Sequence, residues 1–142
     1  MITSVNHTGF VVSDLEKSVA FYRDVIGLEL VRNLEREGEP ISHLLAYENT
    51  HIKGAMLRSP DGHHLELIQY INPEASDRPT EERASLGASH LAFNVEGLEE
   101  TFDQLIRNGA KQLNPPTQME PGRMVCYLQD PDGNWIELIE SK

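Results

Sequence analysis

Apolar and polar residues alternate from Val5 to Val12, the period of a strand packed on one side only. Asp14 then stands where a helix N-cap belongs. Leu15, Val19, Tyr22 and Ile26 follow at helical spacing on one face, and Gly27 suits the left-handed residue that ends such a helix. Leu28–Glu35 reads as a second strand. Pro40–Glu48 fits either a strand or a short helix, with Ile41, Leu44, Leu45 and Glu48 at the helical spacing. Ile52–Arg58 is a third strand, and a Pro-Asp-Gly turn at 60–62 leads into a fourth, His64–Tyr70. The pattern then starts again. A strand over Ser89–Glu96 precedes a helix over Leu98–Asn108 that turns Leu98, Phe102, Leu105 and Ile106 inward and stops at Gly109. Strands near Lys111–Asn114 and Arg123–Leu128, a Pro131-Asp132-Gly133 turn and a strand Trp135–Glu140 complete the set. The polar stretch Ile71–Ala88, with Pro73 and Pro79, reads as a linker. The expectation is one α+β domain over 1–142, made of two β-α-β-β-β modules at 1–70 and 89–142 joined by the linker 71–88.

The two modules share residues as well as rhythm. His7, Phe10, Val12, Leu15 and Glu16 recur as His90, Phe93, Val95, Leu98 and Glu99, a constant offset of 83. PDGHHLELI at 60–68 recurs as PDGNWIELI at 131–139, an offset of 71. The difference of 12 residues is an insertion in the first module, within Glu35–Thr50. Each module therefore carries one His at the start of its first strand and one Glu inside its last.

Alternation decides where these residues point. If Phe10 and Val12 pack under the first helix, His7, Gly9 and Val11 face the other way. In the second module Leu91, Phe93 and Val95 go to the helix and His90, Ala92 and Asn94 to the concave side. On the last strands Glu66, Ile68 and Tyr70, and Trp135, Glu137 and Ile139, lie inside. Two imidazoles and two carboxylates suit one borderline divalent ion, Ni, Zn, Co, Fe or Mn. Open positions on such an ion can take a bidentate substrate or polarise a carbonyl. A lone His at a strand start is usually a hydrogen-bonded core residue. A Glu among Leu and Ile on a buried strand is harder to explain structurally, because an unpaired buried carboxylate is costly. Val11, Ile68, Tyr70, Asn94 and Trp135 are the expected pocket walls. His63 and His64, beside the first turn, read as solvent-exposed, Cys126 as a small core residue, and Glu96–Asp103 as a solvated helix face.

Composition narrows the function. With 23 acidic against 12 basic residues the net charge is −11, and no Lys/Arg cluster exists to neutralise a nucleic-acid backbone or an anionic membrane. Apolar (39%) and charged (25%) content fit a soluble globular chain. One cysteine allows no internal disulfide. The first residues resemble no signal peptide, and no apolar run approaches a membrane span, so a cytoplasmic location is expected. Gly-x-Gly-x-x-Gly, P-loop and Gly-x-Ser-x-Gly patterns are all absent, which leaves nucleotide binding and serine hydrolysis without support.

HTGFVVSDLEKSVAFYRDVIGLEL at 7–30, SPDGHHLELIQY at 59–70, SHLAFNVEGLEE at 89–100 and DPDGNWIELIE at 130–140 together resemble the vicinal oxygen chelate superfamily. That superfamily includes glyoxalase I, methylmalonyl-CoA epimerase, extradiol dioxygenases and the fosfomycin and bleomycin resistance proteins. The resemblance implies paired βαβββ modules in an open, cup-shaped mixed β-barrel with the helices outside, and commonly a homodimer. It also implies metal ligands at His7, Glu66, His90 and Glu137. The complete His-Glu-His-Glu set is closest to glyoxalase I, in which the second-module Glu resembles the base that moves a proton between adjacent carbons. Glu137, and after it Glu66, is accordingly the expected catalytic carboxylate. Methylmalonyl-CoA epimerase is similar but usually carries Gln at the place of Glu66. Bacterial glyoxalase I typically places Arg four residues after the first His and Asn four after the first Glu, to hold glutathione. Val11 and Tyr70 stand there and argue against that cosubstrate.

The expected function is a divalent-metal-dependent, glyoxalase-like lyase or isomerase acting next to a carbonyl of a small molecule. An epimerase of the methylmalonyl-CoA type, an extradiol-type dioxygenase and an antibiotic-binding resistance protein are the alternatives. The extra carboxylate of Glu66 weighs against oxygenation. The intact ligand positions weigh against a metal-free binding protein.

Overall fold

The computed structural model describes residues 1–142 and divides them into two compact units, Met1–Asp77 and Arg78–Lys142. The division falls inside the stretch that reads as a linker. Each unit is a mixed α+β layer with its own sheet, and the two sheets do not close into a hydrogen-bonded barrel.

In the first unit, strand β1 (Thr8–Val11) leads into helix α1 (Leu15–Ala20), and the chain returns through β2 (Glu29–Glu37), α2 (Glu39–Leu45), β3 (His51–Arg58) and β4 (His64–Asn72). The sheet order is β1-β4-β3-β2, with β1 parallel to β4 and the rest antiparallel. Asp14 caps α1 as its position suggests, its carboxylate accepting from the Lys17 amide at 3.0 Å. The helix does not keep its 3.6-residue period. From Phe21 to Val25 it widens into a π-helix, in which the Ile26 amide donates to the Phe21 carbonyl at 3.1 Å. The wider turn sends Phe21 as well as Tyr22 into the core, where the two rings meet edge-on at 5.3 Å. Gly27, at φ 91°, then ends the helix. Under α1, Leu57 and Leu65, and Ala55 and Leu67, are register partners with almost no exposed surface. Fully burying a side chain of Leu size stabilises by about 1.5–3 kcal/mol, so these rows hold the unit together.

The twelve inserted residues contribute to α2 and the turn after it, which resolves Pro40–Glu48 in favour of a helix. Thr50, fully buried, locks that turn by donating twice: its Oγ1 to the Tyr47 carbonyl at 3.0 Å and its amide to Ser42 Oγ at 2.9 Å.

The second unit repeats the plan with β5 (His90–Asn94), α3 (Leu98–Arg107), β6 (Lys111–Gln112), β7 (Thr117–Glu120), β8 (Arg123–Gln129) and β9 (Trp135–Ser141). Its sheet order is β5-β9-β8-β6, and β7 also pairs with β8. β6 is shorter than the expected Lys111–Asn114, and β7 is an additional exposed edge strand. Pro115 and Pro116 separate them, since proline cannot donate to the ladder. Leu98, Phe102 and Leu105 are the buried stripe of α3, against a β9 whose Ile136 and Leu138 are fully covered.

The registers carry the repeat to atomic detail. Thr8 sits opposite Leu65 and Leu91 opposite Ile136. Val12 donates to the Ile68 carbonyl and Val95 to the Ile139 carbonyl, both at 2.9 Å. No helix of the chain is long and apolar enough to cross a membrane.

Candidate metal centre

His7 lies one residue before β1, and β1 runs parallel to β4 with Gly9 opposite Glu66. Glycine at that point leaves the carboxylate room: a Cβ on Gly9 would stand 4.0 Å from Glu66 Oε2. His7 Nε2 is 3.2 Å from Glu66 Oε2, the imidazole about one-third exposed and the carboxylate mostly covered. On the other edge of the ring, Nδ1 is 2.7 Å from Asn6 Oδ1. With Nδ1 donating to Asn6, the Nε2 edge either donates a proton to Glu66 or offers its lone pair to a cation shared with it.

The second unit builds the same pair. His90 opens β5, Ala92 faces Glu137 across the parallel β5–β9 register, and His90 Nε2 is 3.1 Å from Glu137 Oε2. The Glu137 side chain is only 15% exposed, against 46% for His90. The second pair has a third member that sequence reasoning missed. Tyr127, directly across from Glu137 on β8, brings its hydroxyl to 3.4 Å from His90 Nε2 and its ring edge-on to the imidazole at 5.3 Å. Burial pushes the Tyr127 phenol up, a hydrogen bond with Glu137 and that carboxylate's charge add to it, and the Arg83 cation opposes them. The signal was present in the chain, because β8 and β9 form a hairpin around Asp132 and counting five residues to each side pairs Tyr127 with Glu137. The corresponding residue in the first unit is Met56, opposite Glu66.

The expected pocket walls lie on the same sheet faces as these pairs. Val11 is half exposed (47%) and in register with Ile68. Tyr70, farther along β4, meets Tyr47 edge-on at 6.3 Å, so the inserted segment contributes an aromatic ring that alternation alone could not place. Burial raises the Tyr70 phenol, with a smaller contribution from Tyr47. Asn94 is exposed and in register with Ile139. Trp135 is buried beside His90, with the Arg83 guanidinium 4.9 Å over its ring.

Other residues sort themselves by contact. His63 and His64 are half-buried rather than exposed, and His63 Nε2 reaches Thr8 Oγ1 at 2.9 Å, which braces the strand next to His7. Cys126 is buried, its thiol pushed up to about 11 chiefly by burial. Glu99, Glu100 and Asp103 are exposed on α3. A recess lined by Gly27, Glu29, Arg58 and residues 59–62 contains none of the expected site residues. Each unit by itself brings together one His–Glu pair and no third His, Cys, Asp or Glu donor.

Residues 4–138 match the Glyoxalase/Bleomycin resistance protein/Dioxygenase superfamily. A probable lactoylglutathione lyase of Synechocystis is 28% identical over 137 residues, covering 95% of this chain and 93% of that protein. A 2-epi-5-epi-valiolone epimerase of Actinomyces is 29% identical, over 96% of this chain and 78% of the relative. Among solved structures, a glyoxalase family protein from Bacillus cereus superposes with a TM-score of 0.92 at 27% identity, over 99% of this chain and 95% of the other. The chain therefore belongs to the Glyoxalase/Bleomycin resistance protein/Dioxygenase superfamily.

Proposed function

We propose that the two His–Glu pairs hold one divalent ion and that the protein is a glyoxalase-like lyase or isomerase of a small carbonyl compound, acting as a cytoplasmic homodimer. The observation that carries this reading is the repetition of one unusual pair. In each unit an imidazole at a strand entry meets a largely covered carboxylate at 3.1–3.2 Å, beside a Gly or Ala that leaves space. Two donors each about 2.0–2.2 Å from a shared ion lie roughly 3 Å apart at angles between square and tetrahedral, so each pair is spaced to share one. Two nitrogens and two carboxylate oxygens fit Ni, Zn, Co, Fe or Mn.

An ion held there supplies positive charge to a carbonyl oxygen and so acidifies the neighbouring C–H. The protein's own groups do the rest. Glu137, packed between Ala92 and Tyr127, takes the proton from that carbon and returns it to the adjacent one. Glu66 is the second base. Tyr127, within reach of His90 and Glu137, steadies that carboxylate and the imidazole beside it. Val11 and Tyr70 leave no cation or amide for glutathione at those positions, so the substrate is a carbonyl compound other than its hemithioacetal. Epimerisation is the second reading, favoured by the two carboxylates and by the activity named for the Actinomyces relative.

The test is solvent-deuterium incorporation next to the carbonyl of candidate 2-hydroxycarbonyl substrates. Glu137→Gln should lower exchange by about a hundredfold or more, the range of a general base. Unchanged exchange in that variant, or substrate-dependent oxygen uptake instead of exchange, would refute the reading.

A further inference from the structure

Arg83 belongs to a stretch that reads only as linker, yet the structure seats it on the site-bearing face. In β9, Trp135 and Glu137 share a face, and the registers add His90 and Gln129 beside Trp135, and Ala92 and Tyr127 beside Glu137. Arg83 lies over the Trp135 ring at 4.9 Å. The segment leading to it is pinned to the β8–β9 turn. Arg78 Nη2 donates to Asn134 Oδ1 at 3.1 Å, and the Gln129 amide donates to the Glu81 carboxylate. Arg83 itself takes part in no salt bridge, although acidic residues outnumber basic ones 23 to 12.

We propose that Arg83, stacked on Trp135, is an anion anchor that receives a carboxylate or phosphate group of the substrate while the substrate's carbonyl lies toward His90 and Glu137. This rests on the proposed function for the carbonyl end only. A guanidinium that gives one face to an indole keeps its edge of N–H donors free, a fork that matches the two oxygens of a carboxylate or phosphate. Glu137 repels an anion from one end of the face and Arg83 attracts it at the other, so the substrate binds in one direction.

Trp135 is the only tryptophan, so indole fluorescence reports on its surroundings alone, with Arg83 over the ring and His90 beside it. The purified protein is titrated at constant ionic strength with glutarate and with glycerol 3-phosphate, against pentanediamide and glycerol as uncharged counterparts. The anions should give a saturable change and the neutral compounds none, and the stronger anion identifies the group carried by the substrate. Arg83→Ala should weaken the response at least tenfold, and Arg83→Lys should restore part of it. The response should persist in Glu137→Gln, which the proposed function makes inert, so a failed metal or proton-transfer reading leaves this result standing. No response in the unaltered protein, equal responses to charged and neutral compounds, unchanged affinity in Arg83→Ala, or loss in Glu137→Gln but not in Arg83→Ala would each overturn the anchor.

Discussion

Glu137→Leu separates a functional carboxylate from a structural one, because the two roles predict opposite signs. In the metal-free protein the Glu137 side chain is 85% covered, among Ala92, Tyr127 and the apolar body of β9, and its ion pair is with a half-exposed His90. Such a pair contributes about 0–1 kcal/mol. Against that stand the desolvation of the carboxylate and the apolar burial that leucine would gain; exchanging both members of a covered ion pair for apolar groups commonly stabilises by about 1–4 kcal/mol, and Glu137→Leu makes the carboxylate half of that exchange. His90 is exposed enough to be solvated by water once released. The balance is a gain of about 1 kcal/mol, which raises Tm by roughly 3 °C in a chain of this size. Adding a divalent ion reverses the order. At an ion concentration about a hundred times Kd the unaltered protein gains about 2.7 kcal/mol and the variant gains nothing. Thermal unfolding with EDTA and then with Ni, Zn, Co, Fe or Mn reads both signs. A variant that loses more than about 1 kcal/mol in EDTA would show that Glu137 serves the fold, on the cost of breaking a needed buried contact.

Two further outcomes test the packing that positions the site. Gly54→Ala should cost about 1–3 kcal/mol in denaturant unfolding, because its Cβ would stand 3.0 Å from both Leu34 Cδ1 and the Leu67 carbonyl, and backbone cannot give way; a loss under about 0.5 kcal/mol would contradict the closeness of β2, β3 and β4. Cys126, buried with its thiol near 11, should resist alkylation at pH 8 in the folded protein and react fully in denaturant, as read by mass spectrometry; quick reaction in the native state would contradict its burial.

Much of the fold was legible because its two signals are local. Alternation found every strand of the two hairpins that carry Glu66 and Glu137, and the doubled Pro-Asp-Gly turn fixed their equivalence. The His–Glu pairing needed one further step, the parallel register of first and last strands, which the matched offsets do not give, because they relate one module to the other and not the strands within a module. What escaped depends on long-range contact. The π-turn at Phe21–Val25 answers to core demand from Phe10 and Tyr22 and not to helical period. β7 is all exposed and follows two prolines, so it carries no apolar pattern. Arg83 sits in a polar stretch whose only distinction is the tryptophan beneath it.

The central claim is that one ion needs both pairs. Elemental analysis of protein purified without chelators should give one divalent ion per chain, and His7→Ala and His90→Ala, one in each unit, should each reduce it to near zero. No stoichiometric metal in the unaltered protein, or full retention in either variant, would contradict it.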